Sequence, residues 1–204
     1  LYNILKSDRC WVNIPRRSLL EYKFIKDNLN LNYKKNINLN VTMNGDRLIT
    51  TAIHLIDLLC WLLNTKIKTI DISRLKKKWT QSKRLGFYDI GGTLNIILKN
   101  NSKIILKTGN NVKTQDIFIG NKIMKWRISE KDLKAVRSDG MKIKITMPHV
   151  SIIMKKIISD IFNGGKCSLP LLKDVIYNHN ILIKFLKLHW LKSNGKKINY
   201  LPVT

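Results

Sequence analysis

The segment from Thr50 to Asn64 carries two strongly polar side chains that could do chemistry, His54 and Asp57. They are three residues apart in an otherwise nearly continuous apolar run, so a helix would place them on one face, one turn apart. An imidazole exchanges protons near neutral pH, and a buried carboxylate is costly unless it is paired. The pair therefore indicates either a structural contact that holds two elements in register or a site that meets a ligand.

Two adjacent arginines, Arg16 and Arg17, form a second candidate group. They follow a predicted strand over residues 10–14, which Pro15 ends because proline lacks an amide donor. The carboxyl end of a strand at a domain junction is a usual ligand position in α/β folds. One arginine could bind a hydroxyl or carboxylate of a substrate. A salt bridge that ties a helix to the sheet is an equally open alternative.

The remaining polar groups give weaker signals. Lys83 and Arg84 are typical of a solvated pair on a loop. The histidines outside the apolar run have no metal-ligand spacing with each other or with a cysteine, so we predict no metal site. These histidines are His149, His179 and His189.

Five helices are predicted to position these groups, over residues 1–8, 19–29, 48–63, 148–162 and 168–192. Ser18 with Glu21 three residues later predicts a capping box at the start of the second helix. Pro148 is suited to the first turn of the fourth helix, and Gly164-Gly165 ends it.

A two-residue period predicts the strands, over residues 39–43, 66–75, 87–98, 103–107, 114–119, 122–128 and 141–146. From residue 66 onward the connections are short and rich in Asn and Gly, which favours antiparallel neighbours. The order of helices, strand meander and helices predicts an α+β fold. We expect an open, mainly antiparallel sheet of about six strands with helices packed on one face.

Three segments, in this order, resemble the Gfo/Idh/MocA family of NAD(P)-dependent sugar and polyol dehydrogenases. Residues 13–26 (NIPRRSLLEYKFIK) resemble the family's N-x-x-R-R-x-x-P-x-Y-x-x-x-K. Residues 50–64 (TTAIHLIDLLCWLLN) resemble its D-x-G-x-H-x-x-D signature with the following W-L-x-G. Residues 83–94 (KRLGFYDIGGTL) resemble a sheet segment of some members. The resemblance covers roughly residues 10–190, and only the family's second domain.

The resemblance implies that residues 1–14 are the last helix and strand of a Rossmann domain and that residues 15–204 are the C-terminal α+β domain. His54 would relay the substrate's hydroxyl proton, and Arg16, Arg17, Thr50 and Asp57 would contact a sugar or polyol. A sugar-nucleotide or surface-carbohydrate pathway is one setting for such a substrate. Thr50 stands where the family has aspartate, so the usual carboxylate of the relay is absent from the sequence.

The resemblance also implies NAD or NADP as cofactor and a homo-oligomer formed through the open sheet face. The sequence has no G-x-G-x-x-G and no Glu-Lys-Pro, so the cofactor would need a missing N-terminal domain, and we expect the 204-residue fragment alone to be inactive. The first residue is Leu, which predicts a longer or partial reading frame. The alternative is a non-enzymatic remnant or interaction module that has lost the cofactor domain.

Composition limits the other classes of function. The formal charge is +25, but Lys, Asn and Ile are all abundant, as in a chain encoded by an AT-rich genome. No nucleic-acid-binding motif is recognisable, so we do not expect nucleic acid as a partner. No apolar run is long enough to span a membrane. Three cysteines without C-x-x-C spacing favour a reducing compartment, so we expect a cytoplasmic protein.

Overall fold

The computed structural model describes residues 9–30, 36–112, 115–146 and 150–203. Over these ranges the chain forms an α+β fold with four α-helices and a large, mostly antiparallel sheet. The predicted class is therefore confirmed, but the sheet has eight strands in the described part of the chain rather than about six. The predicted helix over residues 1–8 and the helix start at Pro148 lie outside the described residues.

The strands of the described residues are short and follow one another closely. They are β1 (Asn38–Asn44), β2 (Ile67–Asp71), β3 (Thr80–Gln81), β4 (Tyr88–Asp89), β5 (Thr93–Leu98), β6 (Lys103–Gly109), β7 (Asp116–Gly120), β8 (Lys125–Ser129), β9 (Lys134–Arg137) and β10 (Lys142–Lys144). The large sheet has the order β10-β9-β8-β7-β1-β6-β5-β2, and β3 pairs with β4 separately.

Strand β1 lies in the middle of the sheet and makes its single parallel pairing. Val41 of β1 is opposite Leu106 of the parallel strand β6 and Ile117 of the antiparallel strand β7. The other pairings between the described strands are antiparallel, as the short connections predict.

Two features account for the errors in the strand count. The predicted strand over residues 87–98 is divided, because the backbone leaves the β4 pairing at Gly91 and Gly92 before β5 begins. Gly92 has φ +114°, which side-chain-bearing residues rarely adopt, and a Cβ there would lie 2.5 Å from the carbonyl oxygen of Arg74. Strand β9 has only four residues, two of them charged, so its alternation is too short to detect.

The four helices agree with the predicted ones wherever the described residues allow comparison. They are α1 (Leu20–Asn30), α2 (Leu48–Leu62), α3 (Val150–Gly164) and α4 (Leu172–Asn194). The predicted capping box before α1 is wrong. Ser18 belongs to a turn of 3₁₀-helix, Pro15–Ser18, and the Glu21 carboxylate instead accepts a hydrogen bond of 2.7 Å from the backbone N–H of Thr146.

The predicted strand over residues 10–14 is reduced to one bridge, between Trp11 and Leu171. Two hydrogen bonds flank it, from Val12 N–H to the carbonyl of Pro170 (2.9 Å) and from Leu172 N–H to the carbonyl of Cys10 (2.8 Å). These contacts tie the N-terminal segment to the start of α4.

The hydrophobic core lies between one face of the sheet and helices α1, α2 and α4. Helix α2 is the most deeply buried of them, and each fully buried leucine contributes roughly 1.5–3 kcal/mol relative to exposure. The fully buried side chains of α2 are Leu48, Ala52, Leu55, Ile56, Leu58, Leu59 and Leu62. The inward face of the central strands is formed by Leu39, Val41, Leu94, Ile96, Ile104, Leu106, Ile117 and Ile119.

Candidate functional site

The helix that carries His54 begins at a carboxylate supplied by another element. Arg47 precedes α2 and makes no side-chain cap. The buried Asp89 of β4 takes that role, accepting hydrogen bonds from the N–H groups of Ile49 (2.8 Å) and Thr50 (3.2 Å). It also accepts one from the Thr50 hydroxyl, at 2.5 Å. A carboxylate at a helix N-terminus satisfies free donors and complements the helix dipole.

Asp89 therefore places a carboxylate against the side chain of Thr50. The sequence alone shows no carboxylate at this point of the helix, because position 50 is a threonine. The Oδ1 atom of Asp89 also accepts the N–H of Ile90 at 2.7 Å, so the carboxylate orientation is fixed. Asp89 was not predicted as a site residue, because the alternation of residues 87–98 indicated a strand and nothing more. The Asp-x-Gly-Gly sequence was a usable signal: a Cβ on Gly91 would lie 1.8 Å from the Asp46 carboxylate, so this backbone approaches the start of α2 closely.

A cleft of about 690 Å³ lies beside the start of α2. Thr50 and His54 line it, and Asp89 lies in the same wall. The other walls come from the segment before Pro15, from the turn between β3 and β4, and from α4. The structure thus brings together two of the five side chains predicted from the sequence, Thr50 and His54.

A second histidine, His179 of α4, lines the same cleft. Among the described residues, Nδ1 of His54 and Nε2 of His179 are buried and meet no hydrogen-bond partner. Burial lowers the pKa of His54, and the charge of Arg16 lowers it further against the opposing effect of Glu130. Burial also lowers the pKa of His179, against the opposing charge of Asp57. Both imidazoles are therefore neutral at pH 7 and able to accept a proton.

The predicted residues Arg17 and Asp57 pair with each other and are not among the side chains that line the cleft. Asp57 is 2% exposed, and both of its oxygens accept hydrogen bonds from Arg17, the Nε–Oδ2 distance being 2.6 Å. Burial raises the pKa of Asp57, and Arg17 opposes that rise. The pair joins the 3₁₀ turn to α2 one helical turn beyond His54.

Arg16 makes a second bidentate pair, with Glu130 directly after β8. The Nε–Oε1 distance is 2.9 Å and the Nη2–Oε2 distance is 2.8 Å. The hydroxyl of Tyr22 donates to the same carboxylate at 2.8 Å. Burial alone would raise the pKa of Glu130, but these bonds and the charge of Arg16 hold it below its usual value. This pair ties the 3₁₀ turn to the sheet. The substrate-binding roles of Arg16, Arg17 and Asp57 stay predictions.

The buried histidines predict how stability depends on pH. Burial is the largest cause of a lowered pKa at His54, His179 and His189. A folded-state pKa below the unfolded value of ~6.5 means that stability is present above pH ~6.5 and is lost as the pH falls through it. We expect the melting temperature to fall between pH 7.5 and pH 5.5. Burial raises the pKa of Asp57, so this group makes the folded state more stable at low pH and opposes the effect of the histidines.

Thermal unfolding of His54→Gln and His179→Gln variants at both pH values isolates the histidines. Each variant should show a smaller difference between the two melting temperatures than the parent chain. A parent chain that melts at the same or a higher temperature at pH 5.5 would contradict the assignment of neutral, buried imidazoles.

Other kinds of site find no support in the described residues. No group of three His, Cys, Asp or Glu side chains in that part of the chain could hold a metal ion. None of the described helices combines the length and apolarity needed to cross a membrane. The cysteines are free thiols, and burial raises the pKa of Cys60 to about 12, which makes it a poor nucleophile.

The residues present do not fit a dinucleotide. A diphosphate is usually held by a glycine-rich turn that leads from a strand into a helix N-terminus. The strand before α2 does lead through Asn44-Gly45-Asp46, but the Asp89 carboxylate accepts the N–H groups of Ile49 and Thr50 at that helix N-terminus, so these donors are not available to a diphosphate. The cleft is thus suited to a hydroxylated ligand that exchanges a proton, while the described part of the chain provides no such turn for NAD(P).

The fold is that of Gfo/Idh/MocA-type oxidoreductases. No protein-family model and no curated protein matches the sequence, so the likeness rests on solved structures. UDP-N-acetylglucosamine 3-dehydrogenase from Acidithiobacillus ferrooxidans aligns over 86% of this chain and 58% of its own, with 9% identity and a TM-score of 0.58. An oxidoreductase from Thermotoga maritima aligns over 84% and 59%, with 12% identity and a TM-score of 0.58.

A super-repressor mutant of Gal80p from Saccharomyces cerevisiae aligns over 91% of this chain and 63% of its own, with 17% identity and a TM-score of 0.59. At these identities the likeness establishes the fold and no more. The chain spans about 60% of the length of these neighbours.

Proposed function

We propose that residues 15–204 form the substrate-binding domain of an NAD(P)-dependent oxidoreductase that acts on a sugar or polyol. The observation that carries the proposal is His54: a neutral imidazole in the wall of a 690 Å³ cleft, with one buried ring nitrogen that meets no partner among the described residues. The fold of Gfo/Idh/MocA-type oxidoreductases, one of which is named for acting on a sugar nucleotide, supports it.

The chemistry required of this domain is proton transfer. Oxidation of a sugar carbon removes a hydride from carbon and a proton from its hydroxyl group, and NAD(P), held by a separate domain, would take the hydride. His54 accepts the hydroxyl proton, a task suited to an imidazole that is neutral at pH 7. Thr50 and Asp89 lie in the same wall, and the carboxylate of Asp89 orients the Thr50 hydroxyl.

The other residues predicted to contact the substrate, Arg16, Arg17 and Asp57, are proposed to position His54 and its helix instead. Asp57 fixes α2 against the 3₁₀ turn one helical turn beyond His54. Burial is the main cause of the lowered pKa of His54, and the positive charge of Arg16 adds to it. Arg16, Arg17 and Asp57 are all engaged in bidentate ion pairs. To contact the substrate directly, any of them would have to break its ion pair.

Imidazole resonances of the 204-residue chain test whether sugars bind in this cleft. We expect hexoses, polyols or sugar nucleotides to shift the nuclear magnetic resonance signals of His54 and His179. His189 is the internal control, because it packs on Trp79, 5.7 Å between ring centroids, and does not line the cleft. Saturating ligands that leave His54 and His179 unchanged would overturn the proposal.

A non-enzymatic interaction module is the second candidate. One neighbour is described as a super-repressor mutant of Gal80p, so this fold also occurs in a repressor. An in-frame upstream segment with strand, glycine-rich turn, helix and Glu-Lys-Pro would support the enzyme. A start codon close to Leu1 would support the interaction module.

The chain of 204 residues alone is expected not to bind NAD(P). The sequence lacks G-x-G-x-x-G, and the N–H groups of Ile49 and Thr50 at the helix N-terminus nearest the cleft already donate to Asp89. Calorimetric titration with NADH and NADPH at physiological salt is the measurement. Saturable binding in the micromolar range would contradict this expectation.

Self-association through the open sheet face is also proposed. That face carries Lys103, Lys107 and Arg127 among half-buried apolar side chains such as Ile105 and Phe118, so it is less apolar than its Ile-rich strands suggest. Repulsion between like charges opposes association, and salt screens it. We expect dimers to increase with ionic strength in sedimentation experiments at tens of micromolar protein. A monomer at 0.5 M NaCl would contradict the proposal.

A further inference from the structure

The eight arginines of the chain divide clearly by their partners. Within the described residues, four of them make ion pairs with carboxylates, and Arg9 has contacts of its own. The four pairs are Arg16–Glu130, Arg17–Asp57, Arg127–Asp116 and Arg137–Asp139. Half of the arginines therefore serve as partners for carboxylates.

The three other arginines, Arg47, Arg74 and Arg84, make no ion pair with a described residue. Arg74 interacts electrostatically with Asp71. Arg47 and Arg84 both line the cleft beside His54. The lysines are spread through every segment of the chain, so the few arginines are the more informative cations of this very basic protein.

The two arginines reach the cleft from different elements. Arg47 is the residue immediately before α2, and Arg84 lies in the turn between β3 and β4, next to Lys83. All three side chains are exposed and line the same cleft. The β3–β4 turn is held in place because Asp89 at the end of β4 caps α2.

The carboxylates of the cleft do not neutralise these cations. Asp46 lines the cleft, but it pairs at 2.9 Å with Lys76, which does not line it. Asp89 accepts four hydrogen bonds from Ile49, Thr50 and Ile90. Two planar guanidinium groups that line one cleft and have no carboxylate partner among the described residues suit the oxygens of a phosphate group.

We propose that Arg47 and Arg84, assisted by Lys83, bind a phosphate or diphosphate group of the substrate. The substrate class is then a phosphorylated sugar or a sugar nucleotide rather than a neutral sugar or polyol. This inference rests on the proposed function, because it takes the cleft beside His54 as the substrate site.

Calorimetric titration of the 204-residue chain tests the assignment with UDP-N-acetylglucosamine, free N-acetylglucosamine and inorganic phosphate, at 150 mM NaCl. The test variant is Arg47→Gln/Arg84→Gln. The control variant is Arg74→Gln/Lys78→Gln, which removes the same net charge at exposed positions outside the cleft. Because each charge-assisted bond to phosphate is worth about tenfold or more, we expect the test variant to weaken sugar-nucleotide binding about 100-fold. The control should change it less than about threefold.

Three results would overturn the proposal. The first is an equal loss in both variants, which would mean that only the overall charge matters. The second is free N-acetylglucosamine binding as tightly as the sugar nucleotide. The third comes from added titrations with NADP and a single-stranded oligonucleotide: dependence on the two arginines for these ligands alone would assign the phosphate site to a cofactor or a nucleic acid.

The titrations of the arginine variant and the His54 resonance experiment can fail independently of each other. If neutral sugars shift the His54 resonance and the arginine variant binds them normally, the proposed function stands and this inference fails. If the arginines are needed for sugar-nucleotide binding but His54 does not respond, the phosphate site exists without the proposed proton-transfer role. Melting curves confirm that each variant is folded.

Discussion

Replacing His54 by alanine is expected to reduce turnover about 10²–10⁴-fold in the protein expressed from its complete reading frame, because a general acid/base contributes that much to rate. The change in stability should be small by comparison. His54 is half-buried, and its Nδ1 makes no hydrogen bond to a described residue that its loss would break. The measurements are kcat and the melting temperature of the same preparation.

The control for this variant is His189→Ala. His189 is 7% exposed and packs on the ring of Trp79, so its loss should lower the melting temperature. It does not line the cleft, so turnover should be retained. A His54→Ala protein that melts early but turns over normally would identify His54 as a core residue and contradict the proposed role.

Replacing Arg17 by methionine is expected to destabilise the fold by about 3–5 kcal/mol. The substitution leaves Asp57, which is 2% exposed, without its charged partner, and breaking a buried pair from one side costs that much. For a chain of this size the melting temperature should fall by roughly 10 °C. Denaturant titration of both proteins at pH 7 gives the difference in the free energy of unfolding.

The pH dependence of this loss identifies its cause. Arg17 opposes the rise that burial causes in the pKa of Asp57, so its removal raises that pKa further. A raised folded-state pKa gives stability that is present at low pH and lost as the pH rises through it. The destabilisation should therefore be larger at pH 7 than at pH 4.5.

Two matched variants complete the Arg17 test. Lys134→Ala breaks an exposed pair with Asp132, 3.8 Å long, and should cost less than about 1 kcal/mol. Arg17→Met/Asp57→Leu removes both buried charges and should recover part of the loss. If Arg17→Met is as stable as the parent at pH 7, the Asp57 carboxylate does not depend on Arg17, and the proposed cost of an unpaired buried charge is wrong.

Local sequence patterns predicted the elements that have a strong period. The apolar run around His54 has a helical period, few polar residues and a length of four turns, so α2 was predicted within a residue of its ends. Strand β1 alternates buried and less buried residues and was predicted equally well. The strand over residues 141–146 was predicted and is present as β10, whereas β9 was missed because its four residues are too few to show alternation.

Only part of the site could be predicted from the sequence, because the residues that contact one another there are distant in sequence. His54 and Thr50 were found by their spacing within one helix. Asp89 contacts Thr50 from 39 residues away, and Glu130 contacts Arg16 from 114 residues away. Such pairs depend on how the sheet folds back on α2. The Asp89 carboxylate also explains why a hydroxyl suits position 50, since a second carboxylate there would meet like charge.

Transfer of deuterium to the nicotinamide is the most direct test of the central claim, that the cleft beside His54 serves NAD(P)-linked oxidation of a sugar or polyol. The protein expressed from its complete reading frame is incubated with NAD or NADP and a panel of hexoses, polyols and UDP-hexoses deuterated on carbon. We predict that at least one compound transfers deuterium to the cofactor and that His54→Ala reduces the transfer at least 100-fold. No transfer from any of them, by a protein that binds the cofactor and shifts its His54 resonance with the same ligands, would contradict the account.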